Sequence, residues 1–166
     1  MSKIVLIILV LIAIPIGVYL TTTQGTTQYR IRAGEKEAAL VFLMPSEVRT
    51  KVGEKTEVLL KIDTGKETVG GVKILISFGP DYLDFIPEAR PGAAFTNLKT
   101  SQDKEGQLII EGEGSLIGQG TIATLSFEAL NVSQTEINID KTSIVWNEGK
   151  TGNIFRNSAG AKIIIE

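Results

Sequence analysis

Catalysis by side chains needs a nucleophile with a base beside it, and this sequence offers few such pairs. Its 166 residues include no Cys and no His, so neither a thiolate nucleophile nor an imidazole base is available near neutral pH. A Ser–Lys pair remains in principle, but Ser residues lie near Lys73, Lys99 and Lys104 only as often as chance predicts, and no Gly-x-Ser-x-Gly motif occurs. We therefore expect no nucleophilic hydrolysis.

The 19 acidic residues are a second source of chemistry, through a carboxylate pair or a bound cation. A glycosidase needs two carboxylates about 5–10 Å apart across a cleft, whereas most acids here fall on outward strand positions or turns. Asp81 and Asp84 flank a turn that begins at Pro80, and their carboxylates could bind a structural calcium ion. This is the less favoured alternative. Two clustered ligands are too few, and no D-x-[DN]-x-[DN]-G loop occurs. We expect no enzyme activity and no cofactor.

Exposed aromatic side chains are the residues that would bind a sugar, because sugar rings pack against their faces. Tyr82, Phe85 and Phe95 lie in or beside a long irregular stretch and are the candidate ligand-binding residues. Phe78 and Phe127 lie on apolar strand faces, which predicts a place in the core. Trp146 has the same parity as Ile144, and the usual burial of Trp favours the core for it as well.

The distribution of charge argues against a nucleic-acid partner. The formal net charge is −2, and acidic and basic residues are interspersed along the chain. Nucleic-acid binding needs a basic block or stripe to neutralise phosphates, and none is present in the sequence.

Residues 4–20 form an uncharged apolar run, IVLIILVLIAIPIGVYL, long enough as a helix to cross a thin bilayer. Lys3 precedes this run and no basic residue follows it until Arg30, which predicts a cytoplasmic N-terminus. The alternative, a cleaved signal peptide, lacks a small-x-small site after the run. We therefore expect a single-pass anchor in the cell membrane (1–20), a flexible polar tether (21–37) and an extracytoplasmic domain (38–166).

Alternation of apolar and polar residues begins after the tether and predicts β-strands. The intervals between strands are too short for crossover helices, so stacked antiparallel sheets are the remaining solution. We expect an all-β, jelly-roll-like or immunoglobulin-like sandwich of eight or nine strands, with a hairpin-like link at 63–66 and an irregular stretch at 79–104. The predicted strands are 38–44, 57–63, 72–78, 107–111, 121–130, 136–140, 143–146 and 161–165.

Three segments in this order resemble the cohesin domain family and related carbohydrate-binding sandwiches of bacteria. Residues 52–62 resemble its first strand, with Val-Gly followed by alternating apolar residues. Residues 71–83 resemble its strand–aromatic–Asp–Pro turn, although Gly79 stands where the family usually has Asp. Residues 118–127, GQGTIATLSF, resemble its G-x-G-x-apolar-A-x-L-x-F strand. The resemblance covers roughly residues 39–166.

The resemblance implies a nine-stranded module that docks dockerin modules and assembles enzymes or surface proteins around polysaccharide. No position matches the family's dockerin contacts closely enough to be carried over. Our leading hypothesis is therefore a non-catalytic, surface-anchored module that recruits a protein partner, dockerin-like or other. The alternatives are a module that binds glycan directly and a structural spacer in the cell envelope.

Overall fold

The structure, a computed structural model, describes residues 38–87, 89–149 and 152–166. All regular secondary structure in these ranges is β-strand. The predicted membrane segment 4–20 and the tether 21–37 lie outside the described residues. Among the residues that are described, no helix is long and apolar enough to cross a membrane.

Eleven strands follow one another along the described chain, which is more than the eight or nine predicted. They are β1 (Ala39–Met44), β2 (Glu47–Thr50), β3 (Lys55–Ser77), β4 (Leu83–Phe85), β5 (Arg90–Pro91), β6 (Asn97–Lys104), β7 (Gln107–Ala129), β8 (Ser133–Ile139), β9 (Ile144–Asn147), β10 (Phe155–Ala159) and β11 (Ala161–Ile165).

The two longest strands, β3 and β7, form an antiparallel ribbon that belongs to both layers of the sandwich. The first half of β3 pairs with the second half of β7, from Lys55↔Glu128 to Asp63↔Gln119. The second half of β3 pairs with the first half of β7, down to Ser77↔Gln107. Each half lines the core with alternate residues, because successive side chains of a strand point to opposite faces.

A corner lies where the ribbon passes from one layer to the other. The pairing is irregular between Asp63 and Thr68, and Gly65 and Gly118 have φ of 60° and 78°, in the left-handed region that favours glycine. The buried Thr64 hydroxyl donates to the Glu67 carbonyl at 2.7 Å and accepts from the Gly118 amide at 2.8 Å. The predicted hairpin-like link at 63–66 is therefore wrong, since the chain continues through it as a bulged strand.

Two sheets enclose one core. Sheet A consists of β10, β1, the first half of β3, the second half of β7, β4 and β5. Sheet B consists of β6, the first half of β7 and the second half of β3, whose other edge pairs with β9 and β8. From β8 the sheet continues through β11 to β2. Val58 and Leu60 from sheet A and Ile74 and Ile110 from sheet B are fully buried in the same apolar cluster. The predicted all-β sandwich is confirmed.

Two further details of the prediction are wrong. The sheets are mixed rather than purely antiparallel, because β1 pairs with β10, and β2 with β11, in the parallel sense. The stretch 79–104, predicted to be irregular, contains β4, β5 and β6, all of which pair with β7.

Candidate functional site

The structure separates the three predicted ligand-binding aromatics. Phe85 and Phe95 are 4% and 0% exposed and belong to the core, so the expectation that their rings face solvent is wrong. Phe85 lies on β4, whose inward positions pack against Phe127 with ring centroids 5.6 Å apart. Tyr82 is 37% exposed in the turn before β4. Ligand binding by Tyr82 stays a prediction.

Trp146 lies on the outer face of sheet B and not in the core, which corrects the sequence-based expectation. It shares its face with Ile144, but the strand β9 turns Val145 inward, and Val145 is fully buried. Trp146 is directly opposite Gly71 in the ladder. A Cβ atom at Gly71 would lie 2.3 Å from Cζ2 of the indole, so the ring occupies the space that a side chain at Gly71 would take.

The packing of Trp146 over Gly71 leaves one polar atom without a partner. The indole Nε1 is buried and has no hydrogen-bond partner in the part of the chain that the structure describes. An unsatisfied buried donor costs about 1–3 kcal/mol. The ring therefore holds this position through its apolar contact with the backbone of β3, at the expense of a hydrogen bond from Nε1.

The rest of this face combines an ion pair with apolar side chains. Lys73 Nζ and Glu111 Oε1 lie 2.6 Å apart, and both side chains are nearly half exposed. Ile144, opposite Lys73, is 37% exposed, and the partly exposed Leu75 and Ile109 are opposite each other in the next row. Because directly paired residues project to the same side of a sheet, these side chains form one continuous surface.

Polar side chains at both edges of β9 fix its position beside β3. The Ser143 hydroxyl, fully buried, accepts a hydrogen bond from the Leu75 amide at 3.1 Å. On the other edge, Asn153 Oδ1 accepts from the amides of Val145 and Phe155, both at 3.0 Å. These bonds set the register that brings Ile144 and Trp146 onto the outer face.

The turn before β9 is held by Asp140. Its carboxylate Oδ1 accepts hydrogen bonds from both the amide and the hydroxyl of Thr142, each at 2.7 Å. The bond from the Thr142 hydroxyl, followed by the bond from its amide, lowers the pKa of Asp140 below its ordinary value. Because the folded-state pKa is depressed, this stabilisation is present above the unfolded-state pKa and is lost as the pH falls through the folded-state pKa.

Replacing Ser143 by Ala should lower the free energy of unfolding by about 1–3 kcal/mol, because the Leu75 amide would lose its acceptor in a buried position. Urea unfolding of the full chain followed by circular dichroism measures the change. Ser101→Ala is the control, since Ser101 is exposed on β6 and should change stability by less than about 0.5 kcal/mol. Equal stability of the two variants would show that the Ser143 hydroxyl does not hold β9.

The described acidic residues do not assemble into a metal site. No group of three or more Asp or Glu side chains is placed to hold an ion within the described ranges. Asp81 and Asp84 are both exposed.

The outer face of sheet B was not predicted as a site, although the sequence carries a signal for it. The run Leu108-Ile109-Ile110 is apolar at three successive positions, so one of its side chains must face away from the core. Leu75, between Lys73 and Ser77, is a second apolar residue at an outward position. A strand with apolar residues on both faces is typical of a buried strand or of a contact surface.

Solved structures of cohesins share this fold, whereas no family model and no curated protein matches the chain. A cohesin in complex with a dockerin, from Clostridium thermocellum, superposes with a TM-score of 0.68 at 14% identity, over 79% of this chain and 95% of that one. A cohesin of Acetivibrio cellulolyticus, also in complex with a dockerin, gives 0.65 at 15%, over 76% and 98%. A non-cellulosomal cohesin from the archaeon Archaeoglobus fulgidus gives 0.64 at 13%, over 78% and 91%. The domain described here is therefore a cohesin-like β-sandwich.

Proposed function

We propose that this domain is a non-catalytic module that binds a protein partner on the outer face of sheet B. We call this surface the docking face and define it by six residues: Lys73, Leu75, Ile109, Glu111, Ile144 and Trp146. The observation that carries the proposal is their arrangement in adjacent ladder positions, with apolar side chains around one exposed ion pair.

The composition of the docking face matches that of protein interfaces better than that of a sugar-binding face. Protein interfaces combine an apolar centre with a polar rim, and they are enriched in aromatic residues. A sugar-binding platform needs exposed aromatic rings for stacking, whereas Trp146 is the only aromatic residue of this face and its Nε1 edge is covered. Trp is also among the residue types that contribute most to binding energy in protein interfaces.

The partner that we propose to test first is a dockerin-like module. Two of the similar structures are complexes of a cohesin with a dockerin, and the fold of this domain is the same as theirs. The Lys73–Glu111 pair would then contribute specificity rather than affinity, because exposed ion pairs contribute little free energy but penalise partners of the wrong charge.

The location that we propose for the domain is outside the cell membrane. The uncharged run at residues 4–20, with Lys3 before it, supports a membrane anchor with a cytoplasmic N-terminus. The polar segment 21–37 would then separate the domain from the lipid surface, and the docking face would be accessible to partners outside the cell.

A photo-crosslinking amino acid at Ile144 should form a crosslink to a protein partner in cells that make the full chain. The same amino acid at Leu59 should not, because Leu59 lies on the outer face of sheet A. The two positions are matched, with exposures of 37% and 38%. Crosslinking from Leu59 but not from Ile144 would show that the partner binds sheet A, which would contradict the proposal that it binds the docking face.

Once the partner has been identified by crosslinking and purified, Trp146→Ala should weaken the affinity of the domain for it about 30-fold, equivalent to about 2 kcal/mol. Lys73→Glu, which reverses one charge beside Glu111, should weaken binding mainly through a slower association rate. Leu59→Ala should leave the affinity within about twofold of the original. Isothermal titration calorimetry and surface plasmon resonance give these values.

A further inference from the structure

An open polar groove of about 440 Å³ lies at the point where β3 ends and β8 continues. β3 pairs with β8 only through Ile76 and Ser77. Beyond them the chain turns away at Phe78 and Gly79, while β8 runs on and pairs with β11 on its other side. The gap between the turn and β8 is the groove, which is open to solvent along its length.

Gly79 leaves space between two side chains that can contact a ligand. A Cβ atom at this position would lie 3.0 Å from the Thr135 hydroxyl oxygen and 3.1 Å from Cδ2 of Tyr82. The hydroxyl and the aromatic ring therefore border the same small space, and the ring is partly exposed beside it. A side chain at residue 79 would fill this space, so glycine is what keeps the end of the groove open.

The outer side of β8 presents planar polar groups along the groove. Gln134, Glu136 and Asn138 alternate along the strand and are all exposed, about 7 Å apart because two residues of a strand span that distance. Asn138 Nδ2 donates to Glu136 Oε2 at 3.4 Å, and Ser77 is directly opposite Asn138 in the ladder. The two amides supply both donors and acceptors, and the carboxylate supplies acceptors, which suits neighbouring hydroxyl groups of a ligand.

The same lining argues against other ligand classes. Neither Lys nor Arg is among the described residues that line the groove, and these residues offer no charged donor to a phosphate or a carboxylate. Lys162 lies opposite Glu136 in the β8–β11 ladder, outside the groove lining. Phe78, the apolar lining residue, is only 7% exposed, which leaves no pocket for an apolar peptide anchor.

We propose that this groove binds a neutral saccharide. The Tyr82 ring packs against an apolar sugar face, and the side chains of Gln134, Thr135, Glu136 and Asn138 hydrogen-bond to its hydroxyl groups. This site shares no residue with the docking face, although Ser77 is the next outward residue after Leu75 on β3.

The test is a titration of the purified full chain with cellohexaose, xylohexaose and mannohexaose, followed by NMR. At least one of these neutral sugars should bind saturably and shift the resonances of Tyr82, Gln134 and Asn138. Tyr82→Ala and Gln134→Ala should each weaken that binding about tenfold, and Tyr82→Phe should retain it because the ring is kept. Hexagalacturonic acid should bind more weakly, since Glu136 repels an acidic sugar.

Two results would overturn the saccharide site. One is the absence of saturable binding for all three neutral hexaoses, and the other is binding that survives both Tyr82→Ala and Gln134→Ala. Ile117→Ala is the control, because Ile117 is an exposed apolar residue outside the groove lining, and this variant should bind sugar normally. Trp146→Ala should also bind sugar normally, so loss of the docking face and loss of the saccharide site can be told apart.

Discussion

Replacing Phe127 by Ala is expected to lower the free energy of unfolding by about 3–5 kcal/mol, which is a large part of the stability of a domain of this size. Phe127 is fully buried on the second half of β7. Its ring packs edge-on against Phe78, with centroids 5.3 Å apart, and tilted against Phe85 at 5.6 Å. Truncation would remove the central ring of the three and leave a cavity that the strands cannot close.

Urea unfolding of the full chain, monitored by circular dichroism, measures this loss. Leu130→Ala is the matched control, because Leu130 is also apolar and lies just after β7, but is 38% exposed. Leu130→Ala should lower the free energy of unfolding by less than about 1 kcal/mol. Since Phe78 and Phe85 flank the turn that carries Tyr82, Phe127→Ala should also weaken sugar binding in the groove. A loss of stability below about 1 kcal/mol would show that the three rings do not form one packing unit.

Period-two alternation was sufficient to predict the fold class, because it is a direct consequence of strand geometry. Val58, Leu60 and Ile62 were predicted to share a face, and all three are fully buried. The same alternation placed Phe127 in the core, which the structure confirms. These predictions depend only on neighbours within one strand, and the sequence contains that information.

Alternation predicts which residues share a face of a strand, but it does not by itself say which face is inside. Ile144 and Trp146 share a face as predicted, yet Val145 between them is the core residue of β9. Gly71 on the neighbouring strand determines that Trp146 lies on the outer face, because it provides the space for the indole. Because Gly71 and Trp146 are far apart in sequence, their pairing is not visible without the structure.

The stretch 79–104 was the least predictable part for a similar reason. Its Pro and Gly residues are typical of a loop, and on that basis Phe85 and Phe95 were expected to be exposed. The strands β4, β5 and β6 exist because they complete hydrogen bonds along the open edge of β7. Short edge strands depend on long-range pairing more than on local propensity, so their aromatic residues reach the core without a local signal.

Replacing Gly92 by Ala is expected to lower the free energy of unfolding by about 3 kcal/mol, because the new Cβ would collide with backbone rather than with a movable side chain. It would lie 1.8 Å from the Thr121 carbonyl oxygen. At present the Gly92 amide donates to the Ile122 carbonyl at 2.8 Å, and the Phe95 amide donates to the Gly92 carbonyl at 3.2 Å. Moving this segment away from β7 would break the first bond and withdraw Phe95 from the core.

Gly114 on β7 is a second glycine that contacts the segment following β5. A Cβ atom at Gly114 would lie 1.9 Å from the Ala94 carbonyl oxygen, so Gly114→Ala should destabilise the domain similarly. Because both substitutions displace the same segment, the double variant should lose clearly less than the sum of the two single losses. Gly152→Ala is the control, since no described atom outside its chain neighbours lies within 4 Å of its Cβ position. The stability of this variant should stay equal or rise by up to about 1 kcal/mol. Additive losses in the double variant would mean that the two glycines act at separate contacts.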